Sequence, residues 1–170
     1  MHMLPTQLYI IRHAWAEECG LDQDDYDRRL TKKGRKRFEQ FIRFMQGFGL
    51  EVDLVVTSPL VRTRETAEIM VDVLKTPRLE IHDSLAPGSD WREIAEWTTE
   101  ENVAKVAWVG HAPCVGRLVQ RRLEAGTLLF ACKKGPLPQS VWITGSVSRE
   151  NFNGLSQHKS LKQRFSYRIL

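Results

Sequence analysis

Short apolar runs alternate with longer stretches of helical period along most of this chain. Residues 7–11 are apolar over a strand's length and end at Arg12-His13. After an acidic stretch, Leu30-Thr31 opens a helix. In it Phe38, Phe41, Ile42, Met45 and Phe48 recur at i, i+3, i+4, i+7 and i+10 as one inward stripe, closed by Gly47 and Gly49. Residues 53–57 form a second, β-branched run. Ser58-Pro59 follows at once and reads as an N-cap with proline at the first helical position. The helix it predicts runs to about Lys75, with Ala67, Met70, Val73 and Leu74 inward and Pro77 as its stop. Residues 79–81 make a third short strand, and residues 87–89 a turn. Asp90 and Glu93 cap a helix carrying Trp91, Ile94 and Trp97. Residues 103–109 make a fourth strand, ending at Gly110-His111. A helix from Pro113 (Val115, Leu118, Val119, Leu123 inward) and two strands, 127–131 and 139–144, complete the series. This order predicts an α/β single-domain fold: a mostly parallel β-sheet with helices on both faces.

At 170 residues the chain can bury a core without a disulfide or metal staple. Its 42% hydrophobic and 27% charged residues describe a folded globule rather than a disordered chain. No apolar run approaches the roughly 20 residues of a membrane span, and the first residues do not resemble a secretory signal. The expectation is a cytoplasmic protein with no membrane partner. Cys19, Cys114 and Cys132 are odd in number and lack CxxC spacing, which excludes a disulfide framework and a cysteine zinc site. The net charge of +4 resides in residues 149–170, which hold five basic residues and one acid. The chain therefore divides into a neutral domain, 1–148, and a basic extension, 149–170. A nucleic-acid module carries its basic face across the whole domain, so no nucleic-acid partner is expected.

Ligands of open α/β sheets bind beyond the carboxyl ends of the strands. Three predicted strands end there in polar residues that packing does not require: Arg12-His13, then Ser58 with Arg62 in the next helical turn, then His111. A guanidinium fork matches phosphate oxygens bidentately, and a helix start at Ser58 offers free N–H groups. No GxxxxGK[ST] loop exists, so the site is not a nucleotide P-loop. What remains is a pocket for one phosphoryl group, bound by Arg12, Arg62, Ser58 and His111, with imidazole in contact. A neutral imidazole nitrogen is a nucleophile toward phosphorus and divides one displacement into two. The guanidiniums and a second histidine would hold charge on the equatorial oxygens. Taken singly, Arg62 is a surface helix residue, His111 a strand-end histidine and Thr66 a buried helix contact; their order along the chain makes them a site. The acidic run Glu17, Glu18, Asp22, Asp24, Asp25, Asp27 lacks the glycine and the final glutamate of a calcium loop (Lys33 stands at its twelfth position). It reads as a solvated loop beside the pocket, with no metal and no cofactor. Trp15 is placed at the pocket mouth, and Trp91, Trp97, Trp108 and Trp142 in the core.

Residues 8–14, LYIIRHA, resemble the RHG signature of the histidine phosphatase superfamily, which also contains the cofactor-dependent phosphoglycerate mutases. The segment 57–66, TSPLVRTRET, is similar to its S-P-x-x-R-x-x-x-T motif, and Val109-Gly110-His111-Ala112-Pro113 to its strand-end histidine. Leu30-Thr31-Lys32-Lys33-Gly34 resembles the L-T-x-x-G that opens the family's first helix. The matches run in order from residue 7 to about 119. The short chain, Ala14 after the histidine and the turn at 87–90 look most like the small SixA-type phosphohistidine phosphatase branch. The resemblance implies a phosphoglycerate mutase-like fold and a metal-independent phosphatase. His13 would be its nucleophile, with Arg12, Arg62 and His111 holding the phosphoryl group.

The chain departs from the family at Ala14, where glycine is usual, and in lacking the acid that larger members carry near the place of Ala86-Pro87. A general acid protonates a poor leaving group such as an alkoxide, whereas imidazole, with a pKa of about 6.5, leaves readily. The gap fits a phosphohistidine, on a partner protein, or another activated phosphoryl donor. A small phosphorylated metabolite, a mutase reaction, or a catalytically silent phosphoryl-binding module are the alternatives. Glu17 or Glu18, or an aspartate in 22–27, is the candidate acid from the loop.

Overall fold

The computed structural model describes residues 7–20, 24–75, 77–111, 128–131 and 141–144. Strands β1 (Gln7–Arg12), β2 (Leu54–Thr57), β3 (Arg78–Ile81) and β4 (Lys105–Gly110) form one parallel sheet in the order β1-β4-β2-β3. Helices α1 (Lys32–Gly47), α2 (Val61–Leu74) and α3 (Trp91–Glu100) connect them. Strands β5 (Leu128–Ala131) and β6 (Val141–Thr144) pair antiparallel, and β6 runs close beside β1. These are the expected elements, displaced by a few residues at their ends. The helix expected from Pro113 and the segment 149–170 lie outside the described residues. No described helix is long and apolar enough to cross a membrane.

Strand side chains alternate between two cores. Tyr9, Ile11, Val55, Ala107 and Val109 face α1 and α2, whose Phe38, Ile42, Ala67 and Met70 close that side. Leu8, Ile10, Leu54, Val56, Val106 and Trp108 face Leu85, Ile94 and Ala95 on the other. Burial on both faces explains why these strands read as continuous apolar runs rather than alternating ones. Trp108 is fully enclosed and its indole N–H donates to Thr98 Oγ1 at 3.1 Å.

Two local expectations are corrected. Phe48 is not on the inward stripe. Helix α1 ends at Gly47, so Phe48 sits in the cap, 74% exposed, its ring tilted against that of Phe44 with centroids 4.7 Å apart. Ser58 does not cap α2. The helix begins at Val61 behind Leu60, which makes no side-chain cap. The Ser58 N–H instead extends the sheet ladder to the Val109 carbonyl (3.0 Å), and the Ser58 carbonyl accepts from the Thr63 hydroxyl (3.0 Å).

The chain between β1 and α1 is clamped to both helices beside it. The Trp15 carbonyl accepts from Thr31 N–H (2.9 Å), and Thr31 Oγ1 caps α1 by accepting from Gly34 N–H (2.9 Å). Glu65 on α2, buried, accepts from Leu30 N–H (2.8 Å) and pairs with Arg29 (3.2 Å) and Arg35. A Cβ on Gly34 would collide with the Trp15 carbonyl oxygen, while one on Gly47 would meet nothing within 4 Å. Gly34→Ala should therefore lower the unfolding free energy by about 1–3 kcal/mol, the usual cost of overpacking, and Gly47→Ala should leave it unchanged or higher; urea denaturation measures both.

Candidate active site

Strands β1, β4 and β2 are adjacent and parallel, so their carboxyl ends reach the same rim. The ladder runs one step beyond them: His13 N–H donates to the Gly110 carbonyl (3.1 Å) and Ser58 N–H to the Val109 carbonyl. This sets the His13 and His111 rings 5.4 Å apart, and His111 Nε2 2.9 Å from Ser58 Oγ. Arg12 is half-buried at the end of β1, and Arg62 is buried in the first turn of α2. Thr66, one turn further along α2, accepts from Ala14 N–H (3.0 Å) and donates to the Arg62 carbonyl (2.7 Å). It is the buried helix contact expected, and it pins the turn carrying His13 to the helix carrying Arg62.

The two imidazoles are electrically neutral. His13 Nδ1 lies 2.8 Å from the Ala14 carbonyl, an acceptor, which places the ring proton on Nδ1 and leaves Nε2 bare. Nε2 has no hydrogen-bond partner among the described residues. Burial lowers the His13 pKa to about 4; the Ala14 carbonyl opposes this, and the charges of Arg62, Arg12 and Arg28 reinforce it. Burial and then Arg62 lower that of His111 to about 3. Arg12 Nε, Arg28 Nε, Arg62 Nε and His111 Nδ1 are buried without a hydrogen-bond partner. A buried donor left unpaired costs about 1–3 kcal/mol. The three arginines all act on His13 electrostatically and His111 packs against its ring, so these unpaired nitrogens are groups that the oxygens of an anion could satisfy.

Two residues beside these side chains go beyond the sequence reading: Arg28, which it did not name, and Asp25, which it held only among the candidate acids of 22–27. Arg28 follows a 3₁₀ turn, Asp25–Asp27, and its charge reaches His13, His111 and Arg62. Asp25 was one of several aspartates in an acidic loop. Its Oδ2 lies 2.7 Å from Arg62 Nη2, its backbone carbonyl accepts from Arg62 Nη1, and its Oδ1 lies 3.4 Å from Arg28 Nη2. Burial raises the Asp25 pKa, but the Arg62 hydrogen bond and the Arg62 and Arg28 charges outweigh it, so the carboxyl is held ionised. The only hint of Arg28 in the sequence is its place three residues before the Thr31 cap. Glu17 and Glu18 stand exposed beyond the Ala16–Leu30 bridge and bond to none of these side chains. Trp15 is half-buried under Arg37 (4.7 Å) and Lys33 (5.6 Å), its Nε1 buried and unpaired.

A family model described as histidine phosphatase superfamily (branch 1) matches residues 8–119. Phosphohistidine phosphatase SixA of Escherichia coli is 31% identical over 118 residues, 66% of this chain and 71% of that protein. A solved structure of the protein histidine phosphatase SixA complexed with tungstate is similar at TM-score 0.61 and 30% identity, over 68% of this chain and 75% of that one. A candidate SixA from Agrobacterium tumefaciens shares the fold at TM-score 0.65 and 21% identity, over 73% of this chain and 80% of that one. The phosphoglycerate mutase-like α/β fold is thus the fold of this chain.

Nitrogen-detected NMR titration should find the imidazoles of His13 and His111 still neutral at pH 5, where a histidine of ordinary pKa, about 6.5, is protonated. Their folded pKa values lie below the unfolded one. The unfolded chain therefore binds more protons in this window, and stability should fall as pH drops from about 6.5 toward 4. Thermal melts across that range check the sign.

Proposed function

The chain belongs to the histidine phosphatase superfamily, and on that premise we propose that it is a SixA-type phosphatase that removes the phosphoryl group from phosphohistidine through a phospho-His13 intermediate. The observation that carries this reading is the bare Nε2 of a neutral His13 beside buried, unpaired N–H donors on Arg12, Arg28, Arg62 and His111. Tungstate, present in the SixA structure similar to this chain, is a tetrahedral oxyanion like phosphate.

In the first step the substrate's phosphohistidine ring enters protonated on its other nitrogen. The Nε2 lone pair forms a bond to phosphorus while the bond from phosphorus to the leaving nitrogen breaks, and the ring departs as neutral imidazole with that bond's electron pair, needing no proton from the protein. Nδ1–H donating to the Ala14 carbonyl keeps the ring in its nucleophilic tautomer and stabilises the positive charge that grows on it. Arg12, Arg62 and Arg28 neutralise the phosphoryl oxygens. With the Ser58 hydroxyl donating to His111 Nε2, the His111 proton sits on Nδ1, its nitrogen without a partner, as one more donor. In the second step water adds to phosphorus, the Nε2–P bond breaks and phosphate leaves.

The leaving group follows from the state of the acid. Among the described residues Asp25 is the carboxyl bonded into the pocket, and its arginine partners keep it ionised. An ionised carboxylate has no proton for an alkoxide, whereas imidazole departs without such help. This supports a phosphoramidate on a protein over a sugar phosphate or a mutase reaction.

Rapid quench with labelled phosphohistidine peptide should trap label on His13, and His13→Ala should abolish turnover. Arg62→Ala should lower kcat/KM about 10²–10³-fold, as removal of one transition-state donor does. The wild type should cleave phosphohistidine peptide faster than p-nitrophenyl phosphate or sugar phosphates. A preference for a sugar phosphate would assign the small-metabolite reading instead.

A further inference from the structure

The end-on fork of Arg62 is already occupied by a group of the chain itself. Both of its terminal nitrogens donate to one residue, Nη1 to the Asp25 carbonyl and Nη2 to Asp25 Oδ2. The same carboxylate presents its other oxygen to Arg28 at 3.4 Å. Two oxygens on one guanidinium and a third reaching a second guanidinium is the pattern that a phosphoryl group makes with paired arginines. We propose that Asp25 is an internal stand-in for the phosphoryl group, which substrate must displace and which returns to expel product phosphate. The proposal rests on the phosphoryl-pocket reading above and adds to it a residue that sets the pocket's affinity.

The geometry of the turn allows the exchange. The Arg62 side chain is 4% exposed and held in α2, whereas that of Asp25 is 53% exposed, so Asp25 is the partner free to leave. The turn is a self-contained unit: Asp24 Oδ1 accepts from Tyr26 N–H (2.9 Å), and Asp27 N–H donates to the Asp24 carbonyl (3.1 Å). None of its residues is buried, so withdrawing it uncovers no core. Behind it the chain is fixed, by Glu17 N–H on the Arg29 carbonyl (2.8 Å) and by Leu30 N–H on Glu65. Asp25 can thus swing away without disturbing the strand ends that hold His13 and His111. Arg62 Nε and Arg12 Nε, unpaired while Asp25 is in place, give an arriving phosphoryl group its first hold.

The energetic role is a tax on binding. An ion pair with one half-exposed partner is weak, so the occupied state outweighs the open one by roughly tenfold rather than thousandfold, and apparent affinity for an oxyanion falls by the same factor. For a hydrolase this is useful. Phosphate is both the group transferred and the last product, and a carboxylate waiting beside Arg62 shortens its stay.

The test is calorimetric titration of wild type, Asp25→Asn and Asp25→Ala with inorganic phosphate and with tungstate. Both variants should bind about tenfold more tightly than wild type, with slower release of phosphate after a single turnover. Equal affinity, or weaker affinity in either variant, would overturn the proposal, because a carboxylate that merely orients Arg62 helps the anion to bind. In the wild type the Asp25 carboxyl carbon resonance should move when phosphate saturates the site, and a resonance that stays put would overturn it independently of any variant. Failure of the pocket reading itself looks different: no oxyanion binds to wild type or variants, and no label reaches His13.

Discussion

Everything in this site depends on one constraint, the in-register parallel pairing of β1, β4 and β2. Parallel neighbours end on the same side of a sheet, and here two more ladder bonds, His13 to Gly110 and Ser58 to Val109, carry the alignment past the strands. Residues almost a hundred positions apart in the chain thereby become neighbours. Because β4 stands between the two other strands, His111 is placed against both His13 and Ser58. Thr66 and Glu65, successive residues of α2, then tie the helix that carries Arg62 to the two ends of the β1–α1 connection. The site is stiff where chemistry needs it to be.

The second principle is an imbalance of charge at a largely buried rim. Burial first, and then the charges of Arg62 and Arg28, joined by Arg12 at His13, keep both imidazoles neutral. A neutral imidazole keeps a free lone pair at ordinary pH; in the proposed reaction that lone pair attacks phosphorus while the same positive field holds the phosphoryl group. The carboxylate that offsets this field comes from a surface turn in which no residue is buried.

Much of the fold was legible from pattern alone, because its strands are buried on both faces and its helices on one. Runs such as residues 7–11 and the stripe through Phe38 and Ile42 are direct consequences of that layering. Where the reading failed, a tertiary bond had overruled a local preference. Ser58-Pro59 has the chemistry of a helix cap, yet the backbone of Ser58 is claimed by β4 and its hydroxyl by His111, so the helix starts later. Phe48 keeps the hydrophobic spacing of α1 but falls after the helix has ended. Gly34 needed no explanation as part of a motif, and its reason is steric: the Trp15 carbonyl passes where a side chain would stand.

By itself, the order of residues determined which chemical groups were available: two strand-end histidines, arginines at a strand end and in a helix's first turn, and the fold family that places them together. Those features are local, written in short motifs whose spacing survives translation into structure. Only the tertiary structure decided that Arg28 approaches the histidines, that Glu17 and Glu18 stay in water, and that, among the described residues of the acidic run, Asp25 is the one that lies on Arg62. An irregular loop has no period to read. Which of its charges turns inward is set by the guanidiniums it meets across the fold, and those contacts exist only once the sheet has brought them into reach.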